Sequence, residues 1–204
     1  MLSIFSSGGI VMLPLLLCSL VSCACIVERL SYWRSLQSES KSGIKNIMTA
    51  YQELSDGYES LLEEYSYLPL ANVLIKALSY QANSTDQFHL ALSSSMQRIN
   101  PKITRFNSIF STIISVSPLL GLLGTILGLI RSFSSLTIGT SSLNSDQVTG
   151  GISEALISTA TGLVISIFTL LFANYFQGLA RREIVMLKGY CQTIELFYAK
   201  RLLT

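Results

Sequence analysis

The chain has 204 residues, half of them hydrophobic and 13% charged, and its mean hydropathy is +0.50. That is too apolar for an ordinary soluble domain. The net charge of +2 says nothing about partners by itself, but neither the balanced residues 28–105 nor the tail, with five bases and two acids, makes a nucleic-acid footprint, so no nucleic-acid partner is expected.

In chain order, the first stretch without a charged side chain runs from Met1 to Val27. It is long enough to cross a bilayer, which takes about 20 helical residues. Cys18, Cys23 and Cys25 lie in it, show no metal-ligand spacing and read as small apolar residues. Leu20-Val21-Ser22-Cys23 resembles a lipoprotein cleavage box. The basic residues expected at the start of a signal peptide are absent, however, so residues 1–27 read as a first transmembrane helix.

Residues 28–105 hold eight bases and eight acids and read as a helical cytoplasmic region. Ile44, Ile47, Met48, Tyr51, Leu54, Tyr58, Leu61, Leu62 and Tyr65 recur at helical spacing, with acids mostly opposite. Leu68-Pro69 should end that helix, because the residue before proline avoids the α region. A short apolar helix over about Leu70–Tyr80 follows, and Asn83-Ser84-Thr85-Asp86 offers N-caps for the next. From Asp86 to Phe133 only Pro101 and Pro118 interrupt the pattern, which predicts one long, kinked helix.

Residues 106–130 of that stretch carry no charge and form the second predicted transmembrane helix. Ser132–Gly150 is rich in Ser, Thr and Gly and reads as a flexible connector, so residues 131–151 form a short outside loop. Residues 152–180 form the third span, and the tail 181–204 keeps one apolar face through Ile184, Leu187, Tyr190, Cys191, Ile194 and Phe197. A continuous helix over Gly151–Arg201 would extend roughly 75 Å at 1.5 Å per residue.

Lysines and arginines set the orientation. Residues 28–105 carry eight of them and the tail five, against Arg131 alone between the second and third spans. The N-terminus and the second loop should therefore lie outside, and the other two regions in the cytoplasm. The expected fold is all-α: an integral membrane protein with three transmembrane helices, the second and third extended into the cytoplasm.

Glu154 is the conspicuous polar residue, since no acid or base follows it before Arg181. A charged side chain within hydrocarbon costs roughly 2.5–3.5 kcal/mol on insertion scales, which makes it a functional candidate. The alternative is an acid at a helix start, favoured by the positive end of the helix. In the second span Ser117, Pro118, Gly121, Gly124, Thr125 and Gly128 share a face, and Gly124 and Gly128 form a GxxxG pair that permits close helix packing. Thr125 can either contact a water-lined path or bond its own backbone.

In the third span Glu154, Ser158, Thr161 and Ile165 share one face. Ala155, Thr159, Gly162, Ser166 and Ala173 share another. Two faces of small or hydroxylated residues suggest helices on both sides, and hence an oligomer that surrounds a shared axis with copies of Glu154. His89, the single histidine, reads as a packing or surface residue. No nucleophile set or phosphate-binding loop is present, so no enzyme activity and no cofactor or metal is expected.

The segments PLLGLLGTILGLIRSF and GISEALISTATGLVISI closely resemble the two core spans of the ExbB/TolQ family, relatives of the flagellar stator protein MotA. The resemblance covers roughly residues 100–180, and elsewhere it is one of layout. It implies a proton-channel subunit of a bacterial cytoplasmic membrane, pentameric around transmembrane helices of an ExbD/TolR-like single-span partner. The proton-motive force would then drive a TonB- or TolA-like protein acting on the outer membrane. Carried over by position, Thr125, Glu154 and Thr159 become proton-pathway residues, with the proton-carrying aspartate on the partner helix. Glu154 and Thr159 fall on different faces of the predicted helix, so either a kink or a subunit-interface role for Glu154 would reconcile them. Two further readings remain: a related stator for motility or surface-polymer export, and a passive scaffold whose Gly121, Gly124, Gly128 and Gly162 serve only helix packing.

Overall fold

The computed structural model describes residues 9–53, 58–137 and 145–202. Six helices account for nearly all of them: α1 (Met12–Glu53), α2 (Tyr58–Glu64), α3 (Pro69–Leu78), α4 (Thr85–Ile103), α5 (Asn107–Thr137) and α6 (Ser145–Leu202). Three of these are long and apolar enough to cross a membrane, over Met12–Gln37, Asn107–Ser134 and Val148–Arg201. The molecule is thus an all-helical, multi-pass membrane protein. The first eight residues of the expected 1–27 span lie outside the described residues, as do residues 54–57 of the amphipathic stretch.

Helix α1 continues beyond Val27 for a physical reason. Pro14 sits in its first turn, where the missing N–H has no intrahelical acceptor to lose. No other proline follows before Glu53.

Two sequence expectations are corrected. The helix predicted to run from Asp86 to Phe133 is two helices, α4 and α5. Neither proline makes the break, since Pro101 and Pro118 both lie inside helices. The chain turns at Phe106, whose φ of 68° is rare for a bulky residue. The connector expected over Ser132–Gly150 is also shorter: α5 runs to Thr137 and α6 starts at Ser145, with residues 138–144 outside the described set.

The chain divides into two compact units. The first contains Met1–Glu28 and Phe106–Tyr175, which hold most of the charge-free sequence. In it Val11, Met12 and Leu15 are buried, and Leu120, Leu127, Ile157 and Ile165 pack against them. The start of α1 therefore seats on both α5 and α6. Ser22 and Thr169 join the same helices deeper in, their hydroxyls 2.8 Å apart. A hydroxyl pair of this kind satisfies two polar groups where hydrocarbon offers no other partner.

The second unit contains Arg29–Arg105 and Phe176–Thr204. Helix α3 begins as the Leu68-Pro69 pair dictates, with Leu68 extended at φ −78° and ψ 137° and Pro69 opening the helix. Gly43 on α1 admits this corner, since a Cβ there would lie 2.7 Å from Leu68 Cδ1 and 2.9 Å from Tyr65. Ser84 caps α4, its hydroxyl accepting from the Gln87 N–H at 3.3 Å. The apolar core includes Ile47, Tyr51, Leu62, Leu74, Phe88 and Ile194. Phe88 and Tyr198 stack with centroids 4.1 Å apart, and the Tyr198 hydroxyl donates to the Ala82 carbonyl.

Candidate functional site

Within the first unit, α5 and α6 approach so closely that several of their contacts allow no side chain. A Cβ on Gly121 would lie 2.9 Å from the Thr159 Cα, and one on Gly162 would lie 2.4 Å from the Ser117 carbonyl oxygen. Gly128 meets the Gly151 carbonyl at 2.8 Å and the Ala155 Cβ at 2.9 Å in the same sense. Gly124 faces Ser158, whose Oγ lies 1.9 Å from where a Cβ would be. The four glycines singled out from sequence thus all lie at this one helix pair.

Side-chain hydroxyls bridge the same seam. Thr159 Oγ1 donates to the Gly121 carbonyl at 2.9 Å, and Ser166 Oγ donates to the Ile114 carbonyl at 2.8 Å. At the far end Ser132 Oγ donates to the Val148 carbonyl at 3.1 Å. Ser117 and Ser158 are fully buried, and their hydroxyls have no hydrogen-bond partner among the described residues. From sequence, the two small faces on α6 suggest helices on both sides and so point to an oligomer. The face bearing Thr159, Gly162 and Ser166 already has its partner in α5, and Thr169 has one in α1. Face counting therefore no longer argues for an oligomer by itself.

Thr125 stands apart from this seam. It is half-buried, and its hydroxyl donates at 2.6 Å to the Leu122 carbonyl one turn back on its own helix. That is the back-bonded arrangement available to a membrane threonine.

Glu154 lies on α6 one and a half turns before Thr159, and α6 runs unbroken through both. Its Oε1 accepts from Arg131 Nη1 at 2.6 Å, an ion pair between the last turns of α5 and the early turns of α6. Gly9, at φ +70°, closes another side of the carboxylate, because a Cβ there would fall 1.8 Å from Oε1. Only a residue without a side chain suits Gly9, for its backbone angle and for its neighbour alike. The Glu154 side chain keeps 23% of its surface exposed and that of Arg131 keeps 54%. The glutamate is therefore not alone: it is charge-compensated and partly exposed at the surface of the chain. From sequence, Arg131 stands out only as the single base between two spans, and Gly9 does not stand out at all.

No group of three or more His, Cys, Asp or Glu side chains suited to a metal ion occurs among the described residues. His89 belongs to the second unit, on the α4 surface, where Nδ1 lies 2.9 Å from Glu195 Oε2.

Comparison with known proteins places these spans. Residues 65–188 match the MotA/TolQ/ExbB proton channel family. The chain belongs to that family. It is 45% identical over 195 residues to the ExbB-like 3 biopolymer transport protein of Synechocystis, covering 95% of this chain and 93% of that one. The ExbB-like 1 protein of Synechocystis is 33% identical over 196 residues, covering 95% of this chain and 77% of its own. The biopolymer transport protein ExbB of Aquifex aeolicus is 28% identical over 141 residues, covering 68% and 90%. The family is one of channel and transport proteins. Its matched segment takes in α5 and most of α6, and so every residue of the Arg131–Glu154 and Gly121–Thr159 contacts.

Proposed function

We propose that this chain is the proton-channel subunit of an ExbB–ExbD or TolQ–TolR type complex. The complex converts proton-motive force into mechanical work on a TonB- or TolA-like protein, for outer-membrane transport or envelope maintenance. Its location is the cytoplasmic membrane of a bacterium with an outer membrane. The N-terminus and the α5–α6 connection lie outside, and the second unit with the end of α6 lies in the cytoplasm. Copies of the chain form a pentamer around helices of a single-span partner, which supplies the carboxylate that carries the proton through the bilayer.

The observation that carries this reading is Glu154, a charged residue paired with Arg131 and partly exposed at the start of the charge-free stretch 155–180 of α6, which also bears Thr159. Glu154 serves the outer mouth, and Thr159 and Thr125 serve the path beyond it. Intramembrane carboxylates mark ion routes. The test is proton uptake by proteoliposomes holding the chain co-purified with its single-span partner. Glu154→Gln, Thr159→Val and Thr125→Val are expected to assemble and to lose uptake; full uptake in all three rejects the proposal.

One observation favours a passive scaffold instead: the Thr125 and Thr159 hydroxyls are both satisfied inside the chain. In that case Gly124→Leu disrupts assembly while Glu154→Gln changes nothing measurable.

A further inference from the structure

A carboxylate at the mouth of a cation path attracts sodium as well as protons unless its surroundings discriminate between them. The two ions differ in what they need. A proton bonds covalently to one oxygen and cancels its charge. Sodium remains a full charge and requires several oxygens around it in place of water.

Around Glu154 those requirements are met for one ion and denied to the other. Oε1 is engaged by Arg131 at 2.6 Å. A guanidinium does not deprotonate in proteins, so the pair is neutral and a metal ion arriving there meets a fixed positive charge. On the Gly9 side the backbone packs directly against Oε1, since even a Cβ would overlap it. A proton delivered by water to the other oxygen, Oε2, needs no coordination shell and leaves Arg131 in place.

We propose that Arg131 is a selectivity-determining residue, which makes Glu154 a site that a proton can occupy and a sodium ion cannot. This rests on the reading of Glu154 as part of the ion path. Arg131 acts as a positioning and charge-compensating group and does not itself carry the proton. A merely structural ion pair would alter stability when broken, but not the identity of the transported ion.

The test is ion uptake by proteoliposomes holding the chain with its single-span partner, read by an internal pH dye and by radioactive sodium. The wild-type complex is expected to take up protons and no sodium above empty vesicles. Arg131→Gln is expected to raise the ratio of sodium to proton uptake by about tenfold or more, as loss of a charge within several ångströms implies. Arg131→Lys keeps the charge and is expected to exclude sodium. The inference is overturned by a glutamine variant that conducts protons yet admits no extra sodium, or by a lysine variant that admits it. If the glutamine variant fails to assemble, the wild-type complex still decides. Its proton uptake should be the same whether the external salt is sodium or potassium, and inhibition by sodium overturns the inference. A wild-type complex that takes up no protons at all instead rejects the proton-channel reading.

Discussion

Thr159 on α6 donates its hydroxyl to the Gly121 carbonyl on α5 at 2.9 Å, at a point where the two backbones are too close for any side chain on Gly121. The bond and the close approach depend on each other: only the missing Cβ brings that carbonyl within reach of a short side chain. The carbonyl also lies within a continuous helix, so Thr159 is an additional donor to it and not its sole support.

Replacing Thr159 therefore separates two roles. Thr159→Val keeps the shape and removes the donor, and interhelical hydrogen bonds in membranes average about 0.6 kcal/mol. Its melting temperature in detergent should fall only slightly, and Thr159→Ser should match wild type. If the hydroxyl also belongs to the proton path, uptake should collapse in the valine variant while stability barely changes. Equal, small effects on both would assign the hydroxyl to packing alone.

The glycines make a sharper prediction about stability. Gly162→Ala would place a methyl group 2.4 Å from the Ser117 carbonyl oxygen, a backbone atom that cannot turn aside. Overpacking of this sort costs about 1–3 kcal/mol. Gly178 lies in the same helix with nothing within 4 Å of its would-be Cβ. Gly178→Ala should therefore gain about 0.5–1 kcal/mol of helical preference. Thermal melts followed by circular dichroism should move in opposite directions for the two variants.

Charge-free runs, a serine N-cap and a Leu-Pro pair are local signals, and each is visible in the sequence at Ala155–Ala180, Ser84 and Leu68-Pro69. The break at Phe106 is not visible, because nothing about a phenylalanine announces a positive φ. The Arg131–Glu154 pair is hidden too. The two residues lie 23 positions apart, and their meeting depends on how α5 and α6 rotate against each other. Helical periodicity finds which residues share a face; it does not find which face of the next helix they meet.

The His89–Glu195 pair gives a pH dependence of known sign. The hydrogen bond and the charge of Glu195 raise the His89 imidazole above its ordinary value of 6.5. A raised histidine contributes stability that is complete below the unfolded-state value and fades as pH climbs through the folded-state value. The pair is solvent-exposed, so the effect is small. Glu195→Gln should melt slightly below wild type at pH 6, and the two should converge by pH 9. A gap of constant size across that range would show that the pair contributes nothing through protonation.

Arg29 offers the largest expected effect on the second unit. The residue is 2% exposed, and its guanidinium donates through Nη1 to the Ile103 carbonyl at 3.0 Å and, more weakly, to that of Lys102 at 3.4 Å. These carbonyls end α4, where no further turn of helix supplies donors and a positive charge is favoured by the helix dipole. The guanidinium carbon also lies 4.4 Å from the centre of the Tyr32 ring. Arg29→Met preserves most of the volume but leaves buried carbonyls without this donor, at a cost of about 1–3 kcal/mol. Arg29→Lys keeps the charge but loses the planar fork, so it should recover only part of the loss. Hydrogen exchange should then quicken first in the last turn of α4, ahead of the Ser84-capped turn. If exchange there is unchanged in Arg29→Met, the end of α4 is held by its own Thr104 turn, in which the Thr104 N–H and hydroxyl both donate to the Asn100 carbonyl.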